Sequence, residues 1–183
     1  MNPCLYKDVS QCKACALLGE NHVPSEGNPY AELMIIGQSP GVNEVAKKKP
    51  FCGPSGELLD MMLEEAELDR SNVYIANALK CHPPGNRKAN EPELVTCKSL
   101  WLSKEIKSVD PKVILLLGKD AFESVIPGKL LSKWGHLNTI KSNKRVYLSS
   151  YHPSYFLRRG DLEGFIVKVG RTVREVLDES ISG

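Results

Sequence analysis

Four of the six cysteines in this chain are spaced so that they can share a metal. Cys12 and Cys15 form a C-x-x-C pair, Cys81 follows a strand-like apolar run, and Cys97 lies in the next helical stretch. A zinc ribbon repeats a second close pair, whereas here 15 residues stand between Cys81 and Cys97. Four thiolates suit a structural zinc or a 4Fe-4S cluster, and this spacing does not choose between them. Buried thiols with no common ligand are the bland alternative. Cys4 stands too far from the C-x-x-C pair to extend it neatly, and Cys52 falls inside a glycine-rich loop, so both are left over. The N-terminus has no basic leader, long apolar core or small-residue cleavage site, so a cytoplasmic address is expected and a disulfide framework is not.

Three further side chains have types suited to chemistry. The loop "GQSPGVNEVAKKKPFCGPSG", residues 37–56, places Phe51 between Pro50 and Gly53. Gly37 and Gly41 let its backbone turn tightly and approach a ligand closely, and Phe51 can then stack on a planar ring. Asn77 ends an apolar run, and its amide offers one edge with both a donor and an acceptor. His152 follows another such run, with Pro153 fixing the backbone beyond it, and can donate to a developing negative charge. Each has a plainer reading: a core Phe, a turn-forming Asn and a structurally satisfied His.

The elements that must position these residues follow from periodicity. Short β-rich apolar runs at "LMIIG" (33–37), "VYIAN" (73–77), "VILLLG" (113–118) and "VYLSS" (146–150) are each followed by a turn and a helical stretch. That alternation predicts an α/β fold, a three-layer αβα sandwich with a central four-stranded parallel sheet. Ser55 can cap a helix whose apolar face is Leu58, Leu59, Met62, Leu63 and Ala66, with Met61 and Met62 read as core. Asn90 can cap the next helix, on which Leu94, Cys97 and Trp101 share a stripe. "GKDAFESVI" reads as a short helix, and a closing helix lines the core with Phe165, Ile166, Val169, Val173 and Leu177. In an open parallel sheet ligands bind beyond the carboxyl ends of the strands, so the loops at 37–56, 77–90, 118–120 and 150–158 share one edge.

Composition sets the bounds. A chain of 183 residues suits one domain with a real core, and no apolar run approaches the roughly 18 residues of a membrane span. The net charge of +2 excludes a nucleic-acid role read from bulk electrostatics, so such a role needs a local patch. Basic runs at 47–49, 85–88, 141–145 and 158–159 supply candidates, each of which is otherwise a solvated face.

Four blocks, taken in order, resemble the family 4 uracil-DNA glycosylases, the iron-sulfur branch of the uracil-DNA glycosylase superfamily. They are "CKAC" for the leading cysteine pair; "GQSPGVNE" with "KKKPFCGPSGELL" for G-E-x-P-G and R-P-F-V-G-x-A-G-x-x-L; "NALKCHPPGNR" for N-x-x-K-C-R-P-P-x-N-R; and "YHPSYFLR" for H-P-x-x-x-L-R. The likeness runs from about Cys12 to the last helix.

The resemblance implies a 4Fe-4S cluster on Cys12, Cys15, Cys81 and Cys97, remote from chemistry. It implies that Phe51 stacks on a flipped uracil, Asn77 reads its edge, His152 stabilises charge at O2 and Glu44 places the attacking water. On the DNA side, the shared loop edge offers Lys48 and Arg87 to phosphate, and the stretch after His152 offers Phe156, Leu157 and Arg158 to wedge into the gap left by the base and hold a phosphate, although an amphipathic helix start fits the same letters. The implied partner is uracil-containing DNA, single- or double-stranded, met by a monomer, with a replication protein as a further partner. The chain departs from the family where Gln38 replaces Glu and the acids after P-G thin to Glu44. Reduced activity, changed base preference or a non-cutting DNA-binding module are the alternatives this opens. The Arg-rich insertion with a His that marks covalently cross-linking relatives is absent from the sequence, which favours hydrolysis.

Overall fold

The computed structural model describes residues 9–126, 137–142 and 144–181; Cys4 and Asn143, within the basic run 141–145, lie outside them. Four apolar runs become the parallel strands β2 (Leu33–Gly37), β3 (Tyr74–Asn77), β4 (Val113–Leu117) and β6 (Val146–Ser150). They pair in register in the order β3-β2-β4-β6, with Gly37 beside Asn77 at the carboxyl ends. The expected four-stranded sheet is corrected to six strands. Two-residue β1 (Glu26–Gly27) joins β3 and β5 (Asn138–Lys141) joins β6, both antiparallel at the edges. The first is too short to show a period. The second, "NTIK", has no buried residue, so neither carries the apolar signal that marks the central strands.

Alternation along the strands divides the core into two layers. Leu33, Ile35, Ile75 and Leu115 face α2 (Pro54–Glu65) and α7 (Leu162–Ile181), packing on Leu59, Met62, Phe165 and Val173. Met34, Ile36, Ala76, Ile114 and Leu116 face the other side. There they meet Leu102, from a π-helical stretch (Lys98–Leu102) that joins α3 (Glu91–Cys97) to α4 (Ser103–Val109), and Ala121 and Phe122 of α5 (Lys119–Val125). Helices therefore cover both faces, as a mostly parallel sheet requires.

Local chemistry explains the helix ends. Asn90 caps α3, its Oδ1 accepting from Glu93 N at 2.9 Å while Glu93 Oε2 accepts from Asn90 N at 3.0 Å. The cap of α2 is Gly53, not Ser55, because Pro54 supplies a pre-set φ at the first helical position. Met61 is 53 % exposed and turns away from the core that holds Met62. Two short helices fall where loops were expected, α1 (Val42–Lys47) and α6 (Pro153–Arg159). No described helix is long and apolar enough to cross a membrane.

Candidate active site and cysteine array

The loop from 37 to 56 is built around one residue. Phe51 is 3 % exposed and has a left-handed backbone at φ +50°, which a bulky side chain adopts only when its surroundings hold it there. Its N–H donates to one carboxylate oxygen of Glu44, whose other oxygen accepts from Gly41 N. Its carbonyl accepts from Arg70 Nη2 at 2.9 Å, and the same nitrogen donates to Pro50 O at 2.6 Å. Two glycines make room: a Cβ on Gly56 would stand 1.8 Å from Phe51 O, and one on Gly37 would stand 2.4 Å from Asn77 Oδ1 and 2.6 Å from Phe51 Cζ. Burial pushes the Glu44 carboxyl up, opposed by the two amides it accepts from and by Arg70 and His82.

His152 caps α6 and stacks on Phe51, with ring centroids 5.7 Å apart and planes inclined by 28°. Its Nδ1 accepts from Ser154 N at 3.3 Å and lies 3.0 Å from Ser154 Oγ. A ring nitrogen that accepts from an amide carries no proton, so the neutral ring bears its hydrogen on Nε2. Burial, with Arg158 adding repulsion, lowers the pKa of His152 to about 4. The imidazole is therefore a neutral donor through the physiological range.

These groups line one cleft of about 540 Å³ together with Asn77, which is 4 % exposed, Gly41, Arg87 and Arg158. Gln38, Lys48, Phe156 and Leu157 lie outside that lining. Gln38 is not among the cleft-lining residues; its amide packs on Gly118, where a Cβ would stand 2.8 Å from Gln38 Cδ at a φ of +95°. Lys48 donates to His22 O at 2.9 Å. Arg87 lines the cleft while paired with the buried Glu93 at 2.5 Å. Phe156 is turned inward, 5.2 Å from the Phe165 ring, and Leu157 is exposed beside Arg158.

Sequence reasoning missed several contributors. His82 stands where the family motif has Arg, and its Nδ1 lies 2.7 Å from Pro40 O; Asn43 stands in the thinned acidic run. Both departures were visible in the motif letters. Arg70 carried no signal, because it sits 19 residues from Phe51 in an ordinary turn.

Cys15, Cys81 and Cys97 gather in a third apolar cluster. Cys81 and Cys97 are buried with Val9, Leu17, Leu79 and Ala89, and Cys15 packs against that cluster. Burial first, and then the charges of Cys97, Cys15 and Cys12, push the Cys81 thiol up to about 12. Burial likewise pushes Cys97 up to about 11. Lys80 N donates to Cys97 Sγ at 3.2 Å, and Gly19 contributes a backbone hydrogen bond to Cys81. Such a nest raises its thiols while it stays metal-free and suits thiolates once a cationic centre compensates them. Among the described residues no three His, Cys, Asp or Glu side chains converge closely enough to hold a single metal ion.

The family model of the uracil DNA glycosylase superfamily matches residues 24–174. A type-4 uracil-DNA glycosylase of Saccharolobus solfataricus is 35% identical over 93% of this chain and 83% of its own. Those of Sulfurisphaera tokodaii and Thermotoga maritima are 32% and 34% identical, over 94% and 82% of this chain and 83% and 80% of theirs. With its central sheet, its four motif blocks and these relatives, the chain belongs to the uracil-DNA glycosylase superfamily, on its type-4 branch.

Proposed function

We propose that the protein is a monofunctional uracil-DNA glycosylase that hydrolyses the N-glycosidic bond of deoxyuridine in DNA, releasing uracil and leaving an abasic site. The observation that carries this reading is the stacked Phe51–His152 pair lining one cleft with Asn77 at the adjoining strand end. A flipped uracil enters that cleft and stacks on Phe51. The Asn77 amide matches O4 and N3–H of uracil and opposes the reversed pattern of cytosine. As the bond to the sugar breaks, the electron pair moves onto the base, and His152 Nε2–H donates to O2 where that charge collects. Each Glu44 oxygen retains a lone pair beyond its amide contact, enough to orient water towards the sugar carbon and to oppose its positive charge. The water's oxygen bonds to that carbon and its proton leaves with the solvent or the base.

Cys12, Cys15, Cys81 and Cys97 would hold a 4Fe-4S cluster, which supplies no chemistry to the reaction and braces the 77–97 segment. Lys48, Arg87 and Arg158 face phosphate and Leu157 fills the gap left by the base, with the protein acting as a monomer on single- or double-stranded DNA.

Incubating the protein with a uracil-containing oligonucleotide and then alkali tests the reading. Strand scission is expected, with His152→Ala slower by about 10²–10³-fold, the usual loss on removing one such donor. Scission no greater than in His152→Ala sinks the proposal. The thinned acidic loop favours a second reading, a module that grips uracil-DNA without cutting: Glu44 is its one carboxylate, with Asn43 beside it in the cleft lining. Tight retention with no base release would select it.

A further inference from the structure

Lys80 is 0% exposed, so it must spend all three ammonium protons inside the protein. It does so: Nζ donates to Glu105 Oε2 at 2.6 Å, Ser25 Oγ at 3.0 Å and the main-chain oxygen of Asn77 at 3.0 Å. Ser25 Oγ in turn donates to Glu105 Oε1 at 3.0 Å. Asn77 is the last residue of β3, and the bond from Lys80 fixes the carbonyl at that strand end. A tilt of this peptide would swing the Asn77 side chain, whose Oδ1 is already hemmed in by Gly37. The same Lys80 donates its backbone N–H to Cys97 Sγ at 3.2 Å and precedes Cys81 in the chain.

We propose that Lys80 is a positioning residue, and that the buried Lys80–Glu105–Ser25 joint sets the base-reading angle of Asn77 and ties it to the cysteine array. The inference rests on the reading of Asn77 as the residue that recognises uracil. A buried ion pair contributes little net stability against an apolar replacement of similar volume, so this one is better explained by what it holds in place.

The test is the double variant Lys80→Met/Glu105→Met, in which the charges leave together and the fold keeps its volume. Affinities are measured in a His152→Ala background, so that the base survives, for oligonucleotides carrying either one deoxyuridine or one tetrahydrofuran abasic site. The expected result is a fall of about tenfold in preference for uracil over the abasic site, the scale of one lost buried hydrogen bond. Affinity for the abasic oligonucleotide and the visible thiolate-to-iron absorbance should persist. A folded double variant with unchanged preference overturns the proposal, and so does an equal loss of both affinities, the mark of a merely structural pair. Where the double variant fails to fold, Ser25→Ala serves: a drop of about threefold in preference is expected on losing one of three acceptors, and no drop overturns the idea. Preference is read without catalysis. A protein that prefers uracil-DNA but never releases uracil therefore defeats the excision reading and leaves this one to stand or fall on the variants. Absence of any preference before the joint is altered overturns it.

Discussion

The two walls of the cleft are held by different means. The wall from 37 to 56 is clamped from nearby in the chain. Glu44 holds amides 3 and 7 residues away, and Arg70 reaches carbonyls 19 and 20 residues away. The wall from 77 to 82 is held from afar. Its anchors include Glu105 and Ser25 on Lys80, 25 and 55 residues away, and Pro40 on His82, 42 residues away. The near-clamped wall carries the strained residue, Phe51, and meets the strain with short polar ties and glycines. The far-clamped wall carries Asn77, the amide proposed to read the base, and its geometry depends on the assembled sheet and the buried ion pair. A lesion in the first should spoil stacking locally, whereas one in the second should spoil discrimination through the whole assembly.

The sharpest way to break the first wall alone is Gly56→Ala. Its Cβ would meet a backbone oxygen that has no rotamer to relax into. A cost at the upper end of the roughly 1–3 kcal/mol of overpacking is expected in denaturant melts. Excision should fall with it while the visible absorbance of the proposed 4Fe-4S cluster is retained. Next comes Arg70→Met, which strips the donors from Pro50 O and Phe51 O. A loss of about 1–3 kcal/mol in stability is expected, with a larger loss in uracil affinity than in abasic-site affinity.

A pH series probes the stacked pair between the walls. Folding lowers His152 from an ordinary value of 6.5 to about 4, so between those values the unfolded chain binds the extra proton. Wild-type stability should therefore drop, relative to His152→Gln, as pH falls from about 6.5 to about 4, and the two should run parallel below that. Parallel curves throughout would refute the neutral imidazole. The smallest effect expected is from Gln38→Glu, because the side chain packs on Gly118 outside the cleft lining. Single-turnover excision should change by less than about threefold, the scale of a surface substitution away from the chemistry. A larger gain would mean that the acid reaches the sugar after all.

Much of the site could be read from the letters because three of the four blocks, all but "CKAC", stand at the end of an apolar strand. "LMIIG" and "VYIAN" announce two buried strands, and parallel pairing then brings Gly37 and Asn77 side by side. The capping of α3 by Asn90 and the apolar stripe of α7 were equally local. The edge strands were not, since two residues of β1 and the exposed "NTIK" carry no apolar alternation. Gln38 shows the limit most clearly: its letter marked a departure from the family, but where its side chain goes depends on a left-handed Gly118 on another strand's loop.

By itself, then, the sequence determined which side chains arrive at the carboxyl edge of the sheet, because strand period and loop position are properties of neighbouring residues. Only the tertiary structure decided how those side chains are aimed. Arg70 on the Phe51 carbonyl and Glu105 on the Lys80 ammonium are contacts between residues 19 and 25 positions apart, which share no local period. Their partners become defined only once burial has removed water as the competing hydrogen-bond partner.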